Sequence, residues 1–388
     1  MLRPRSRPVV IDLFCGAGGL SEGLTQAGFD VRVGLDFDPH ALATFSENHP
    51  NARAICADIT KISGSDLIAA AGTDEIDLIA GGPSCQGFST HGKRIEEDDR
   101  NFLFKQFVRV VREVQPKFFV MENVKGLLVY SKGYFKNLIE QSFSRIGYRV
   151  ASATLCAADY GVPQMRHRVV FIGTRMDVGL SFPAPTFSAN DPRLPQYRTV
   201  ADAISDLPLL NGDYGKELWS YTSRPQTEYQ RYTRENAGKS LTMHQSHPLS
   251  DQAAKLAKYI GQGEGLRSVP TRFLPDRFKK MRRISTGELR RDCTTLYYRL
   301  DPNKPAYTIT CNYRNVASGP FMHPYEDRPI THREAARLMS YPDHYIFRGA
   351  GVPRQIGNSV PPLMAAALGR QILELLSESV VKRIRRAA

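Results

Sequence analysis

From Val9 to about Arg175, short apolar and β-branched runs alternate with segments whose apolar residues recur at three- and four-residue spacing. The runs Val9–Phe14, Val31–Phe37, Arg53–Ala57, Ile76–Ala80, Phe118–Met121, Tyr148–Leu155 and Val169–Thr174 predict strands. Leu20–Ala27, Ala41–Asn48, Phe102–Val114 and Phe135–Ile146 predict the helices between them. Strands that are apolar at nearly every position are buried on both faces, so the pattern predicts a doubly wound α/β domain with a parallel sheet.

After about Thr174 the periodicity fades, prolines crowd in (Pro183, Pro185, Pro192, Pro195, Pro208) and basic residues thicken, which predicts a second, irregular domain. Regularity returns at Thr331, whose spacing to Glu334 is that of a capping box opening a short helix through Ala335, Leu338 and Met339. A last amphipathic helix is expected from about Pro361 to Val381. The boundaries that follow are 1–180 for the first domain, 181–320 for the second with a linker over about 181–208, and 321–388 for a return to the first.

The 388 residues, 41% hydrophobic, suffice for a large core. A formal charge of +13, from 52 Lys and Arg against 39 Asp and Glu, favours a polyanionic partner, because such a surface gains affinity by releasing counterions from phosphate. The six cysteines are scattered without C-x-x-C spacing, so they are expected as free thiols in a reducing cytoplasm rather than as zinc ligands or disulfides. No stretch supplies the roughly 20 apolar residues that span a bilayer, so a soluble, cytoplasmic protein is expected.

Chemistry gathers where the strands end. The first strand runs into Phe14-Cys15-Gly16-Ala17-Gly18-Gly19, a glycine turn that lets backbone approach a ligand. The second ends at Asp36-Phe37-Asp38 and the third at Asp58, acidic and aromatic groups suited to ribose and a base. This combination predicts a nucleoside-containing cofactor, and a phosphate-free adenosyl group fits. The fourth strand opens into Gly81-Gly82-Pro83-Ser84-Cys85-Gln86-Gly87-Phe88-Ser89, a loop that presents a thiol at the edge where α/β enzymes keep their active sites. The fifth delivers Glu122-Asn123-Val124 to the same edge, and Gln164-Met165-Arg166-His167-Arg168 brings two guanidinium groups to one face of a strand start.

The ordered set FCGAGG, GGPSCQGFS, ENV, QMRHR, REAARLMSYPD and QIGNSVPP resembles the DNA cytosine-5 methyltransferase family, over residues 9–175 and 321–380. The resemblance implies a Rossmann-like, S-adenosylmethionine-dependent domain, with a smaller, irregular target-recognition domain between the last two groups of motifs. Carried over position by position, it implies that Phe14, Gly16, Gly18, Asp36, Phe37, Asp58, Leu103, Asn358 and Ser359 contact the cofactor, and that Cys85, Glu122, Arg166 and Arg168 form the catalytic centre. The chain departs from the family at Ser84, where Pro is usual, and at Asp36, where Glu is usual. DNA contacts are expected from Ser89, Lys93 and Arg94 in the thiol loop, and from Arg272, Lys279, Lys280, Arg282 and Arg283 in the basic run Leu266–Arg291.

Cytosine C5 takes a methyl group only after a nucleophile has added at C6, and a thiolate such as that of Cys85 can do this. Arg166 or Arg168 is the candidate for a positive field favouring the thiolate, and a protonated Glu122 for a donor to N3. The base that removes the C5 proton is not identifiable in the sequence. A stacked base is out of reach, so the cytosine must be flipped out, with the loop Ser89–Arg100 a candidate to close over it. Duplex DNA is the expected partner of a monomer, with a cognate restriction endonuclease acting separately and no metal. The competing readings are an RNA cytosine-5 methyltransferase, a catalytically silent DNA-binding regulator, and a nicotinamide oxidoreductase resting on the glycine turn alone.

Overall fold

The computed structural model describes residues 7–83, 103–129, 133–280 and 293–387. Its centre is a seven-stranded sheet built from β1 (Val9–Leu13), β2 (Asp30–Asp36), β3 (Arg53–Cys56), β4 (Leu78–Gly81), β5 (Phe118–Val124), β6 (Arg149–Cys156) and β8 (His167–Thr174), with a two-residue β7 (Gln164–Met165) outside it. The order is β3-β2-β1-β4-β5-β8-β6. All seven predicted strands are present, with ends shifted by up to three residues.

The parallel sheet expected from the sequence needs one correction. Strands β1 to β5 are parallel, but β8 lies antiparallel between β5 and β6. The connection from β6 to β8 contains only a 3₁₀ turn and β7, too little chain for the crossover helix a parallel neighbour needs. Reversal puts the start of β8, where His167 and Arg168 stand, at the same edge as the ends of β4 and β5.

Side-chain alternation explains the unbroken apolar runs. Val10, Leu78, Ala80, Phe118, Val120, Val170 and Ile172 enter one core, while Ile11, Leu13, Ile79, Phe119, Met121, Val169 and Phe171 enter the other. Helices α1 (Gly19–Ala27) and α2 (Pro39–Asn48) cover the first face; α3 (Gly64–Ala71), α4 (Leu103–Val114) and α6 (Tyr134–Ser144), which follows the short α5 (Gly126–Val129), cover the second. Periodicity alone does not announce α3, yet a capping box between Ser63 and Asp66 opens it.

The rest of the chain carries α7 (Val200–Ile204), α8 (Glu228–Arg234), α9 (Asp251–Ala257), α10 (Asp276–Lys279), α11 (His332–Leu338), α12 (Val352–Asn358) and α13 (Pro362–Ala387). The expected capping box is present: Glu334 N donates to Thr331 Oγ1 and Thr331 N to Glu334 Oε2, at 3.0 and 2.7 Å. Residues of α7, α8 and α11 share one apolar cluster with Ala17, Ile309, Tyr341 and Tyr345, whereas α9 and α10 form another with Cys293, Tyr297, Val316 and Met322. Helix α13 closes the first face of the sheet by packing on α1. A side-chain carbon at Gly23 would lie 2.2 Å from Pro362 O and 2.5 Å from Ala365 Cβ, so the helices approach as closely as only glycine permits.

Candidate active site at the strand ends

The glycine turn after β1 is clamped to the end of β2. Asp36 accepts N–H bonds from Gly16 at 2.8 Å and Asp38 at 2.9 Å, so its carboxylate first of all shapes the turn, and burial holds its pKa above the usual range. Phe37 next to it leaves 72% of its surface in water. Gly16, at φ 52°, faces open space. Asp58 caps the 3₁₀ turn after β3 by accepting from Thr60 N at 2.9 Å and is otherwise exposed. Leu103 packs part-buried on the second core.

Asn358 and Ser359 reach this turn from the far end of the chain. Ser359 Oγ bonds the Tyr341 hydroxyl, and a carbon added at Gly19 would lie 2.2 Å from that Oγ. The returning chain also grips α2: Thr44 Oγ1 donates to Gln355 Oε1 at 2.6 Å, and Asn48 Nδ2 to Ile346 O at 2.7 Å. The turn therefore has a strand behind it, an open face at Gly16, and returning chain along its flank.

Beside it, Glu122 on β5 and Arg168 on β8 meet diagonally across the antiparallel pair, since Glu122 faces Val170 and Val124 faces Arg168. Arg168 Nε lies 2.8 Å from Glu122 Oε1, an ion pair. Both groups are almost fully buried. Burial raises the Glu122 pKa more than Arg168 and Arg166 lower it, and burial lowers that of Arg168. Asn123 Nδ2 donates to Pro83 O at 3.0 Å, and a carbon at Gly82 would lie 3.1 Å from Glu122 Oε2. The loop that carries the thiol thus leaves β4 against the Glu122 carboxyl.

Arg166 has turned inward. Its guanidinium donates to Ile309 O at 3.1 Å, Gly357 O at 2.9 Å and Ser359 O at 2.8 Å, tying the sheet edge to the returning chain, while its Nε is buried without a hydrogen bond among the described residues. It acts on Glu122 through charge rather than contact. Cys85, Ser89, Lys93, Arg94, Arg282 and Arg283 lie outside the described residues. In the basic run, Arg272 lies over the Phe273 ring at 4.8 Å, Lys279 pairs with Asp276 at 2.9 Å, and Lys280 is exposed.

The sequence reading missed Asp12, His49, Tyr341 and Tyr345, all packed behind the glycine turn. Asp12 is fully buried on β1, accepts from Ser21 Oγ at 2.6 Å, and burial pushes its pKa up to about 7. An acidic residue inside an apolar strand run was the available signal for it; the tyrosines carry none, because Ser340-Tyr341-Pro342-Asp343 reads as a turn. A cavity of about 500 Å³ lined by His247, Leu249, Tyr297 and Arg314 contains none of these site residues.

A Rossmann-like α/β core, with a glycine turn on one strand end and a buried acid and guanidinium on its neighbours, defines the methyltransferase class of fold. The family model for C-5 cytosine-specific DNA methylase matches residues 9–374, and the chain belongs to that family. It is 36% identical to the Type II methyltransferase M.DdeI of Desulfomicrobium norvegicum, over 94% of this chain and 88% of that one. It is 37% identical to the Type II methyltransferase M.XorII of Xanthomonas oryzae pv. oryzae, over 97% and 87%. A crystal structure of an E. coli prophage protein described as a DNA modification methyltransferase superposes with a TM-score of 0.73 at 27% identity, covering 95% of this chain and 99% of that one. The protein is thus an enzyme that methylates DNA at cytosine C5. No described helix is long and apolar enough to cross a membrane.

Proposed function

We propose that this enzyme methylates C5 of a flipped-out cytosine within a specific short duplex sequence, with S-adenosylmethionine as cofactor and a covalent bond from Cys85 Sγ to C6 as the intermediate. The observation that carries the reading is Glu122, a buried carboxyl with a raised pKa, standing where the thiol loop departs at Gly82 and Pro83.

The residues at the strand ends fit the cofactor. Phe37 offers an uncovered ring for adenine, Asp36 and Asp58 stand at neighbouring strand ends for the ribose, and Gly16 leaves open space between them. Phe14, Gly18, Leu103, Asn358 and Ser359 complete the assigned pocket. When bound, the cofactor supplies an electrophilic methyl group.

Cys85, as thiolate, adds to C6 and forms a C–S bond. The ring electrons move toward N3, where protonated Glu122 donates. Arg168 neighbours Glu122 and can supply the positive field, with Arg166 behind it. The C5 carbon then takes the methyl group and loses its proton to a base; the C5–H pair re-forms the C5–C6 double bond, the C–S pair returns to sulfur as Cys85 leaves, and N3 returns its proton to Glu122. Residues 181–320 would read the target sequence, with Arg272, Lys279, Lys280, Arg282 and Arg283 on phosphate and Ser89, Lys93 and Arg94 near the flipped base. The enzyme would serve as the modification arm of a restriction-modification system, alongside a separate endonuclease.

Bisulfite sequencing of a methylation-free host expressing the chain gives the target sequence. Duplex DNA with 5-fluorocytosine at that target should then trap the protein in a cofactor-dependent adduct that survives denaturing electrophoresis. Cys85→Ser should form none. An adduct that persists in that variant, or none with DNA the enzyme methylates, would overturn the mechanism.

A further inference from the structure

The glycine turn is held from behind by two side chains far apart in sequence. Tyr345, fully buried, donates its hydroxyl proton to Ala17 O at 2.5 Å. His49, at the end of α2, places Nε2 3.2 Å from that hydroxyl and 3.3 Å from Gly18 O. A phenol has one proton, and Ala17 takes it, so the hydroxyl can only accept from the imidazole. His49 must therefore carry its proton on Nε2, directed at two acceptors, the Tyr345 oxygen and the Gly18 carbonyl. Burial keeps the ring neutral by pushing its pKa down to about 4.

We propose that His49 and Tyr345 are positioning residues for the cofactor: by holding the carbonyls of Ala17 and Gly18 they fix the face that the turn presents to the ligand. A peptide group is planar, so a carbonyl held backward sets the following N–H in the opposite direction. The grip on Ala17 orients the Gly18 N–H, which bonds Cys15 O at 2.9 Å, and His49 adds to the Glu22 N–H bond at 2.8 Å in holding the Gly18 carbonyl and so the Gly19 N–H at the helix start. Gly18 sits at φ 86°, a conformation that side-chain-bearing residues adopt only under strain, and a carbon there would lie 2.7 Å from both His49 Nε2 and the Tyr345 hydroxyl. The turn and its brace fit only as a unit. Rings reinforce the pair: His49 lies against Phe45 at 4.8 Å between centroids, and Tyr345 against Tyr341 at 4.7 Å. Neither residue touches the place where the reaction occurs; each acts through backbone.

This inference rests on the turn being the S-adenosylmethionine site, and calorimetric titration of the full chain with S-adenosylmethionine separates the two claims. Tyr345→Phe should weaken binding roughly fivefold to tenfold, the effect of one lost buried hydrogen bond. The KM for cofactor should rise with it, while kcat at saturation and affinity for duplex DNA hold. His49→Leu should match that loss, and His49→Gln, which returns an N–H donor, should recover to within about twofold of wild type. General damage to the fold would lower kcat and DNA affinity as well, and Gln would not rescue it. Wild-type affinity in Tyr345→Phe, or equal weakness of the Gln and Leu variants, would overturn the brace with the cofactor site intact. A wild-type chain that binds no S-adenosylmethionine would overturn the site and the brace with it.

Discussion

Two clusters of buried charge in this protein are built on opposite terms. Around α11, Arg337 lies between Asp206 and Asp343, with Nη2 2.6 Å from Asp343 Oδ2, and Arg328 forks onto Glu334 at 2.7 and 2.9 Å. For Arg328, Glu334, Arg337 and Asp343 burial works against the charge, but the partners win. Glu334 and Asp343 are held below the usual carboxylate range, and Arg337 is held above its own. At the strand ends burial wins instead: Glu122 is raised, Arg168 lowered, and Arg166 finds carbonyls but no carboxylate. The first arrangement is complete in itself and ties α11 to Asp206 and Asp343 on either side of it in the chain. The second leaves its charges under-compensated, and the proton donation proposed for Glu122 needs that condition, whereas a structural ion pair needs the first.

That contrast is open to direct attack. Glu122→Gln should lower kcat by about 10²–10⁴-fold while DNA affinity and unfolding free energy stay near wild type, as stopped-flow methylation and urea titration would measure. A drop in stability as large as the drop in rate would place Glu122 with the structural charges. Arg337→Met should do the reverse, destabilising the fold by about 3–5 kcal/mol because two buried carboxylates lose their partner. Retention of full stability would mean the α11 network is dispensable.

Asp12 offers a pH test. Its pKa is raised, so between about pH 4 and about 7 the folded chain holds a proton that the unfolded chain has lost, and stability must fall as pH rises through that window. Asp12→Asn should lack this contribution, gaining on wild type by about 1–3 kcal/mol across the interval in parallel urea titrations. Parallel pH curves would show that Asp12 is ionised in the fold. Exposed charge should matter least. Lys280→Ala should weaken all duplexes alike and reduce the salt slope by about 1, whereas Lys279, already paired with Asp276, should change it less. Identical slopes for both variants would mean that the Asp276 pair does not limit Lys279.

What the sequence made legible follows from what each element depends on. The strands and the helices α1, α2, α4 and α6 are visible because a sheet buried on both faces forces apolar residues at successive positions, as Phe118 to Met121 show by entering alternate cores. The direction of β8 is not, because strand pairing depends on the length of the connection and not on the strand's own residues. The grouping of Glu122 with Arg168 follows from that hidden reversal. Motif order pointed to Asn358 and Ser359, but the inward turn of Arg166 and the brace of His49 and Tyr345 depend on contacts between residues 191 to 296 positions apart. Pairing of that kind leaves no periodic trace.

The close seat of α13 on α1 bears on how the protein comes into being. A ribosome adding roughly 5–20 residues per second makes α13 on the order of tens of seconds after α1. Throughout that interval the face of α1 around Gly23 has nothing to pack against, and Ser359, Tyr341 and Tyr345 do not yet exist to flank the glycine turn. The nascent chain must carry this uncovered apolar trench through the synthesis of residues 181–320, and a transcript cut short before Pro362 yields a sheet whose first face is covered by α1 and α2 alone. That face of the sheet is closed only once α13 has cleared the exit tunnel.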